Sequence, residues 1–207
     1  MAYFPFFVDI KNKKCVVVGG GRVALRKIQK LLPFGVKIYV VGTKICTEIK
    51  NTETIIFTEK EFSDNDIFMA DFVISATDNE KLNAHIFDLC KQKNIPVNTV
   101  DDKDKCTFIF PALAVKDDVC AGICTGGKSP LAARKLKEYL YEIMDDDFCG
   151  AVNFLGSMRD RIKTEIKGEN NRRAAFEMLW DLYFMKKRQP SDKEIEALIK
   201  EVNCNEN

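Results

Sequence analysis

The chain has 207 residues, of which 46% are hydrophobic and 30% are charged, as is typical of a soluble protein with a hydrophobic core. Its 32 basic and 31 acidic side chains nearly cancel, so the net charge indicates neither a nucleic acid nor an anionic membrane as a partner. No apolar run reaches the roughly 20 residues that span a bilayer, and the eight scattered cysteines do not fit a small secreted disulfide scaffold, which favours a cytoplasmic protein with reduced thiols.

The first hundred residues alternate between strand-like and helix-like segments. The predicted strands are continuous apolar or β-branched runs, and the helices between them carry apolar residues at helical spacing. In chain order the segments are a strand over 14–18, a helix over 22–32, strands over 36–41, 54–57 and 72–76, a helix from 78 or 79 to about 93, and a strand over 95–99. This rhythm predicts an α/β domain with a Rossmann-like parallel sheet and helices on both of its faces.

Beyond residue 100 the alternation ends and helices dominate. The predicted segments are strands over 106–110 and 119–124 with a turn at 116–118, and helices over 130–144, 151–166 and 170–188. Ser129 is a suitable N-cap with Pro130 in the first helical position, and a last helix begins at Ser191, which forms a capping box with Glu194. The predicted parts are a Rossmann-like domain (1–113), a small strand-containing region (114–147) and a C-terminal helical domain (148–207).

A glycine-rich segment, Val16 to Ala24, joins the first predicted strand to the first predicted helix and fits the pattern G-x-G-x-x-[G/A]. Its glycines permit a tight turn and a close approach of the backbone to a pyrophosphate, and Ala24 keeps the helix near the sheet. The N–H groups at the helix start would bind the anion. The alternative is a glycine-rich turn without a ligand. The predicted cofactor contacts in this segment are Gly19, Gly20, Gly21, Arg22 and Val23.

The carboxyl ends of the second and fourth strands carry further candidate contacts. The second strand usually ends in an acidic residue that binds the ribose hydroxyls, but here the next residues are Gly42, Thr43 and Lys44. Thr43 could bond a ribose and Lys44 could favour a 2′-phosphate, so the choice between NAD and NADP stays open. Thr77 follows the fourth strand and is predicted to line the cofactor pocket, with helix capping by Asp78 as the alternative.

Four stretches in this order resemble the dehydrogenase module of siroheme synthases and the stand-alone precorrin-2 dehydrogenases. The resemblance covers roughly residues 3 to 140, and the last two stretches separate this family from other dehydrogenases. The stretches are Phe4-Pro5-Phe6-Phe7 before the glycine-rich segment, Ala76-Thr77-Asp78, Asn98-Thr99-Val100-Asp101, and Thr125-Gly126-Gly127-Lys128-Ser129-Pro130.

The resemblance implies oxidation of precorrin-2 to sirohydrochlorin with NAD as the cofactor. It also implies a homodimer built partly through the region 114–147, and it gives no role to a nucleic acid or a membrane. Some members of this family also insert ferrous iron into sirohydrochlorin, and the sequence leaves that activity open. The chain has one histidine and no His/Cys cluster with zinc spacing, so no firm metal site is predicted.

The resemblance places a catalytic aspartate at Asp101, and the residues themselves agree. A carboxylate at the carboxyl edge of a buried strand could accept a proton as a hydride leaves the substrate. It could also act in transient iron handling. Asp102 is a competing candidate, and a solvated charged turn over 101–105 is the structural alternative.

The substrate implied by the resemblance carries many carboxylates, which call for a donor-rich pocket. Successive backbone N–H groups at a helix N-terminus would supply it, with a lysine adding positive charge. Family members typically have a small hydroxyl residue where Lys128 stands. The predicted substrate contacts are Thr125, Gly126, Gly127, Lys128 and Ser129.

A second function from another class is a regulatory module that senses NAD(H) without turnover. Such modules usually accompany a DNA-binding or membrane-associated part, and the chain shows neither a basic recognition helix nor a spanning segment. Asp101 and the segment 125–130 would also have no evident use in a sensor, so the enzyme is the favoured interpretation.

Overall fold

The computed structural model describes residues 3–204, and the chain divides into two compact units. One unit comprises residues 4–110, and the other comprises Tyr3 with the residues from 111 onward. The outer ends of the predicted parts 1–113 and 148–207, residues 1–2 and 205–207, lie outside the described residues. The division of the chain into three parts stays a prediction.

The first unit contains a five-stranded parallel sheet in the order β3-β2-β1-β4-β5, which confirms the predicted Rossmann-like α/β fold. Its strands are β1 (Lys14–Gly20), β2 (Lys37–Ile45), β3 (Ile55–Glu59), β4 (Phe72–Ser75) and β5 (Val97–Thr99). Its helices are α1 (Arg22–Leu31), α2 (Thr47–Lys50) and α3 (Glu80–Gln92), with single 3₁₀ turns at Leu32–Phe34 and Asp64–Ile67.

The central strand β1 is apolar throughout because both faces of the sheet are covered. Cys15 and Val17 belong to the core that includes Ile28 of α1, and Val16 and Val18 belong to the opposite core, which includes Ile86 of α3. Successive side chains of a strand point to opposite faces, so a run with no polar residue fits a strand that is buried on both sides.

The second unit contains a β-hairpin followed by helices. The hairpin strands are β6 (Ala112–Lys116) and β7 (Val119–Ile123), and the helices are α4 (Pro130–Ile143), α5 (Asp146–Glu165), α6 (Glu169–Lys186) and α7 (Asp192–Cys204). The predicted turn is present, with Asp117 at φ 49°. Between residues 3 and 204, no helix combines the length and the apolar character that crossing a membrane requires.

The predicted strand over 106–110 is wrong. That segment makes one isolated bridge, between Cys106 and Asn98, and the first hairpin strand is β6 instead. Side chains explain the difference: the Val97 N–H donates to the Thr107 hydroxyl (2.8 Å), and the Thr99 N–H donates to the Cys106 thiol (3.2 Å). These side chains take the β5 donors that strand carbonyls would otherwise use.

Side-chain caps set the start of several helices. The Asn79 side chain accepts the Leu82 N–H (3.1 Å), so Asn79 caps α3 and the alternative of capping by Asp78 is wrong. The Ser129 hydroxyl accepts the Ala132 N–H (3.0 Å), which confirms the predicted cap of α4. Helix α5 begins at Asp146 rather than at 151 because Asp145 caps it. Each such cap contributes about 1 kcal/mol to stability.

The capping box before α7 yields a testable pH dependence. The Glu194 carboxylate accepts hydrogen bonds from the Arg188 guanidinium (2.9 Å) and the Ser191 N–H (2.8 Å), and these hold the pKa of Glu194 well below its usual range. Because the folded-state pKa is depressed, this stabilisation is present above the unfolded-state value of about 4.3 and is lost as the pH falls.

We therefore expect Glu194→Gln to lower the melting temperature at pH 7 and to lose that effect progressively below about pH 4. Circular dichroism melts at a series of pH values measure it. Glu201→Gln, on the exposed side of the same helix, is the matched control and should match the wild type at every pH. An equal drop for Glu194→Gln at pH 7 and pH 3 would contradict the prediction.

Candidate functional site

The glycine turn after β1 lies at the carboxyl edge of the parallel sheet, where ligands of such sheets bind. Gly19 has φ 106°, and a Cβ there would lie 2.2 Å from the Ala76 carbonyl oxygen that follows β4. A Cβ on Gly20 would lie 2.5 Å from the Lys44 carbonyl oxygen of β2. The two glycines let the turn pass between the ends of the neighbouring strands with no room for a side chain.

Gly21 has a different role, because nothing lies within 4 Å of a Cβ at this position. It is the N-cap of α1, has φ −85°, and makes no side-chain capping hydrogen bond. Arg22 and Val23 begin the helix, and N–H groups of a first turn have no intrahelical acceptor. Open space beside uncapped N–H groups fits the pyrophosphate of a dinucleotide.

Thr43 and Lys44 lie within β2, which continues to Ile45, well beyond the predicted end at 41. A shift in register makes Gly20 the partner of Ile45, so both candidate residues run alongside the glycine turn. A Cβ on Gly42 would lie 3.3 Å from the Gly20 nitrogen. Both side chains are exposed and remain available to a ligand.

Thr77 is held against the glycine turn by a buried network. Its hydroxyl and that of Ser75 both donate to the Asn83 side-chain oxygen (2.7 Å each), and the Asn83 amide donates to the Thr77 carbonyl oxygen (3.0 Å). A Cβ on Gly19 would lie 3.2 Å from the Thr77 nitrogen. The Thr77 backbone therefore borders the candidate site while its hydroxyl is engaged with Asn83.

Asn83 is a structural residue that the sequence reasoning missed. It occupies the buried face of α3 together with Ile86 and Cys90, at the spacing i, i+3, i+7. A lone amide on an apolar stripe is the signal that could have found it, because a buried polar group needs partners.

Asp101 lies just after β5, beyond Val100, whose N–H donates to the Ser75 carbonyl oxygen (2.9 Å). Its φ of 61° turns the chain, and its side chain is exposed. Within residues 3–204 its carboxylate has no hydrogen-bond or ion-pair partner. Asp101 therefore presents a free carboxylate at the sheet edge that carries the glycine turn, two strands away from β1.

Asp102 serves the turn itself. Its carboxylate pairs with the Lys105 ammonium and accepts the N–H groups of Asp104 (3.1 Å) and Lys105 (3.2 Å). These hydrogen bonds, with the one from the Lys105 side chain the strongest, lower the pKa of Asp102. The geometry therefore favours Asp101 over Asp102 as the residue free to react.

Lys27 is a charged neighbour of Asp101 that the sequence reasoning missed. It lies half-buried on α1, with its ammonium 4.3 Å from the centre of the Phe110 ring. Burial lowers the pKa of Lys27, and the nearby positive charge of Lys30 adds to this, while attraction to Cys106 and Asp101 acts in the opposite direction. No motif marks Lys27, since its neighbours come from the distant loop after β5.

The predicted substrate-binding segment 125–129 lies in the second unit and uses most of its donors internally. The Ser129 N–H donates to the Thr125 hydroxyl (3.3 Å), the Lys128 N–H to the Thr125 carbonyl oxygen (3.2 Å), and the Gly126 N–H to the Cys124 thiol (3.3 Å). The donor set is therefore narrower than predicted. The exposed Gly127 N–H and the Lys128 ammonium are the donors that the turn leaves available.

No group of three or more His, Cys, Asp or Glu side chains between residues 3 and 204 is placed to hold a metal ion. The single histidine, His85, pairs with Asp64 on the surface, with 2.7 Å between Nε2 and Oδ1. The role of Asp101 in iron handling stays a prediction.

A parallel sheet in this order, with a glycine turn open at a helix N-terminus, defines a dinucleotide-binding domain of the Rossmann-like class. A family model described as "Putative NAD(P)-binding" matches residues 6–112. Because that match covers more than half of the chain, the protein belongs to this NAD(P)-binding family.

Several curated relatives are siroheme synthases. That of Ruthia magnifica subsp. Calyptogena magnifica is 36% identical over 180 residues, which is 86% of this chain and 38% of the relative. That of Blochmanniella pennsylvanica is 37% identical over 183 residues, or 87% of this chain and 38% of the relative. The chain thus spans less than half the length of these relatives.

A solved structure of SirC, a precorrin-2 dehydrogenase, has the same fold. Its TM-score is 0.73 at 22% identity, and the match covers 97% of this chain and 99% of that one. Together with the siroheme synthase relatives, this match confirms the resemblance seen in the four sequence stretches.

Proposed function

We propose that the chain oxidises precorrin-2 to sirohydrochlorin in the cytoplasm, with NAD as the electron acceptor. The observation that carries this proposal is the free Asp101 carboxylate at the same sheet edge as the open Gly21 turn. Siroheme synthase relatives that match 86% of the chain support the choice of substrate.

The reaction removes two electrons and two hydrogens: precorrin-2 and NAD⁺ give sirohydrochlorin, NADH and H⁺. When bound, NAD supplies the hydride acceptor. The chain supplies the rest: the N–H groups of Arg22 and Val23 hold the pyrophosphate, and Asp101 accepts the proton released from the macrocycle. Gly127 and Lys128 are proposed contacts for substrate carboxylates.

Anaerobic incubation of the purified chain with precorrin-2 and either NAD or NADP tests the proposal. We expect sirohydrochlorin absorbance to appear with NAD, together with reduced nicotinamide in a 1:1 ratio. Binding of NAD without oxidation of precorrin-2 by either dinucleotide would overturn the enzyme proposal in favour of a sensor. Ferrous iron added afterwards tests chelation, which requires siroheme formation faster than in the absence of enzyme.

We further propose that two copies of the chain associate through α4. Leu136, Tyr139 and Ile143 form an apolar stripe on this helix at the spacing i, i+3, i+7, and they are 49%, 58% and 59% exposed. Ala133, on another face of the helix, is buried. A helix with a second apolar face calls for a partner, because contiguous apolar surface of this kind marks association sites.

The variant Leu136→Glu/Tyr139→Glu should convert a dimer to a monomer, since it places two charges in the proposed interface. Sedimentation equilibrium measures the mass directly. Arg134→Gln, off the stripe on the same helix, is the control and should remain dimeric. A wild-type chain that is monomeric at micromolar concentration, or a double variant that stays dimeric, would refute this interface.

A further inference from the structure

The carboxyl end of β2 lacks the acidic residue that usually binds the cofactor ribose, but β3 ends in one. Glu59 is the last residue of β3 and the register partner of Gly42 on β2. Gly42 in turn contacts the glycine turn, since a Cβ on it would lie 3.3 Å from the Gly20 nitrogen. Glu59 therefore lies one strand away from the residues that border the candidate cofactor site.

The Glu59 carboxylate is aimed back toward β2. Its Oε1 accepts the Ile45 N–H (3.1 Å) and pairs with the Lys50 ammonium (2.8 Å). The hydrogen bond from Lys50, and after it the one from Ile45, lower the pKa of Glu59, so the group is ionised at neutral pH. A negative charge is thus held beside the peptide that joins Lys44 to Ile45.

One oxygen of this carboxylate remains free. Both contacts involve Oε1, and within residues 3–204 Oε2 has no hydrogen-bond partner. The side chain is 43% exposed, so Oε2 is open to a ligand at the end of β2. A carboxylate oxygen accepts hydrogen bonds from ribose hydroxyls, whereas it repels the 2′-phosphate of NADP.

We propose that Glu59 is the residue that selects NAD over NADP, by supplying from β3 the carboxylate that β2 lacks. This inference depends on dinucleotide binding as set out under the proposed function. It also gives Lys50 a part: its ammonium offsets some of the Glu59 charge while fixing the position of the carboxylate. Lys44, which alone would favour a 2′-phosphate, then lies next to an opposing negative charge.

The test is the ratio of the dissociation constants for NADPH and NADH, measured by fluorescence titration of the full chain. Glu59→Gln keeps the shape and the acceptor for the Ile45 N–H but removes the charge, so the ratio should fall by about tenfold. Glu61→Gln, an exposed residue two positions further on, changes the net charge equally and should leave the ratio unchanged. Lys50→Gln should raise the ratio, because it leaves the Glu59 charge less balanced.

The outcomes separate the two proposals. If neither dinucleotide binds the wild type, the proposed function fails together with this inference. If both bind but Glu59→Gln leaves the ratio unchanged while melting like the wild type, only the inference fails. Should Glu59→Gln not fold, the Lys50→Gln result decides, since an unchanged or lowered ratio overturns the role of Glu59. A wild type that prefers NADPH also overturns it.

Discussion

Gly19→Ala should unfold or severely destabilise the first unit, with a loss of more than about 4 kcal/mol in the free energy of unfolding. Two effects add. The φ of 106° at Gly19 is strained for any residue with a Cβ, and the new Cβ would lie 2.2 Å from the Ala76 carbonyl oxygen. The atom that would have to move is backbone at the end of β4, so a side-chain rearrangement cannot relieve the overlap.

Gly21→Ala is the matched control for this substitution. Its φ of −85° suits alanine, and no atom lies within 4 Å of the new Cβ, so the free energy of unfolding should stay within about 0.5 kcal/mol of the wild type. The Cβ would instead occupy the open space assigned to the pyrophosphate, and NADH affinity should fall at least tenfold. Urea denaturation and fluorescence titration measure the two effects.

Two results would count against this account of the turn. A Gly19→Ala chain as stable as the wild type would mean that the tight passage between β1 and β4 is not as described. A Gly21→Ala chain with unchanged NADH affinity would mean that the pyrophosphate lies elsewhere.

Asp101→Asn should reduce kcat for precorrin-2 oxidation by about 10²- to 10⁴-fold while leaving NADH affinity unchanged. The amide has nearly the same shape as the carboxylate but cannot accept the proton. Asparagine also tolerates the φ of 61° that Asp101 adopts, so the turn should be retained. Stopped-flow measurement of sirohydrochlorin formation, with NADH titrated separately, distinguishes a lost proton acceptor from a lost cofactor.

Asp102→Asn is the matched control, one residue along the same turn. It weakens the pair with Lys105 and should lower the stability of the turn, yet kcat should remain within a few-fold of the wild type. The reverse pattern, a slow Asp102→Asn and a normal Asp101→Asn, would make Asp102 the proton acceptor and contradict the assignment drawn from the turn geometry.

Local features of the sequence account for the elements that were predicted well. The apolar run from Val16 to Val18 followed by glycines indicated a buried strand and a turn, and the structure has both. The caps at Ser129 and at Ser191 with Glu194 were also visible, because a cap joins residues only three positions apart. The cofactor turn belongs to this group, since strand, turn and helix are contiguous in the chain.

Other features depend on contacts between residues that are far apart in the chain, and no local pattern shows them. The choice of β6 over the segment 106–110 depended on side chains that occupy the donors of β5. The positions of Lys27 and Glu59 depended on which strands became neighbours.

The sequence by itself therefore determined the α/β class, the glycine turn and the candidate aspartates, because periodicity and short-range hydrogen bonding are local properties of the chain. Only the tertiary structure separated the free carboxylate of Asp101 from the engaged one of Asp102. It also showed that a carboxylate from β3 lies beside the end of β2. Strand order brings those groups together, and strand order is decided by the packing of the whole sheet.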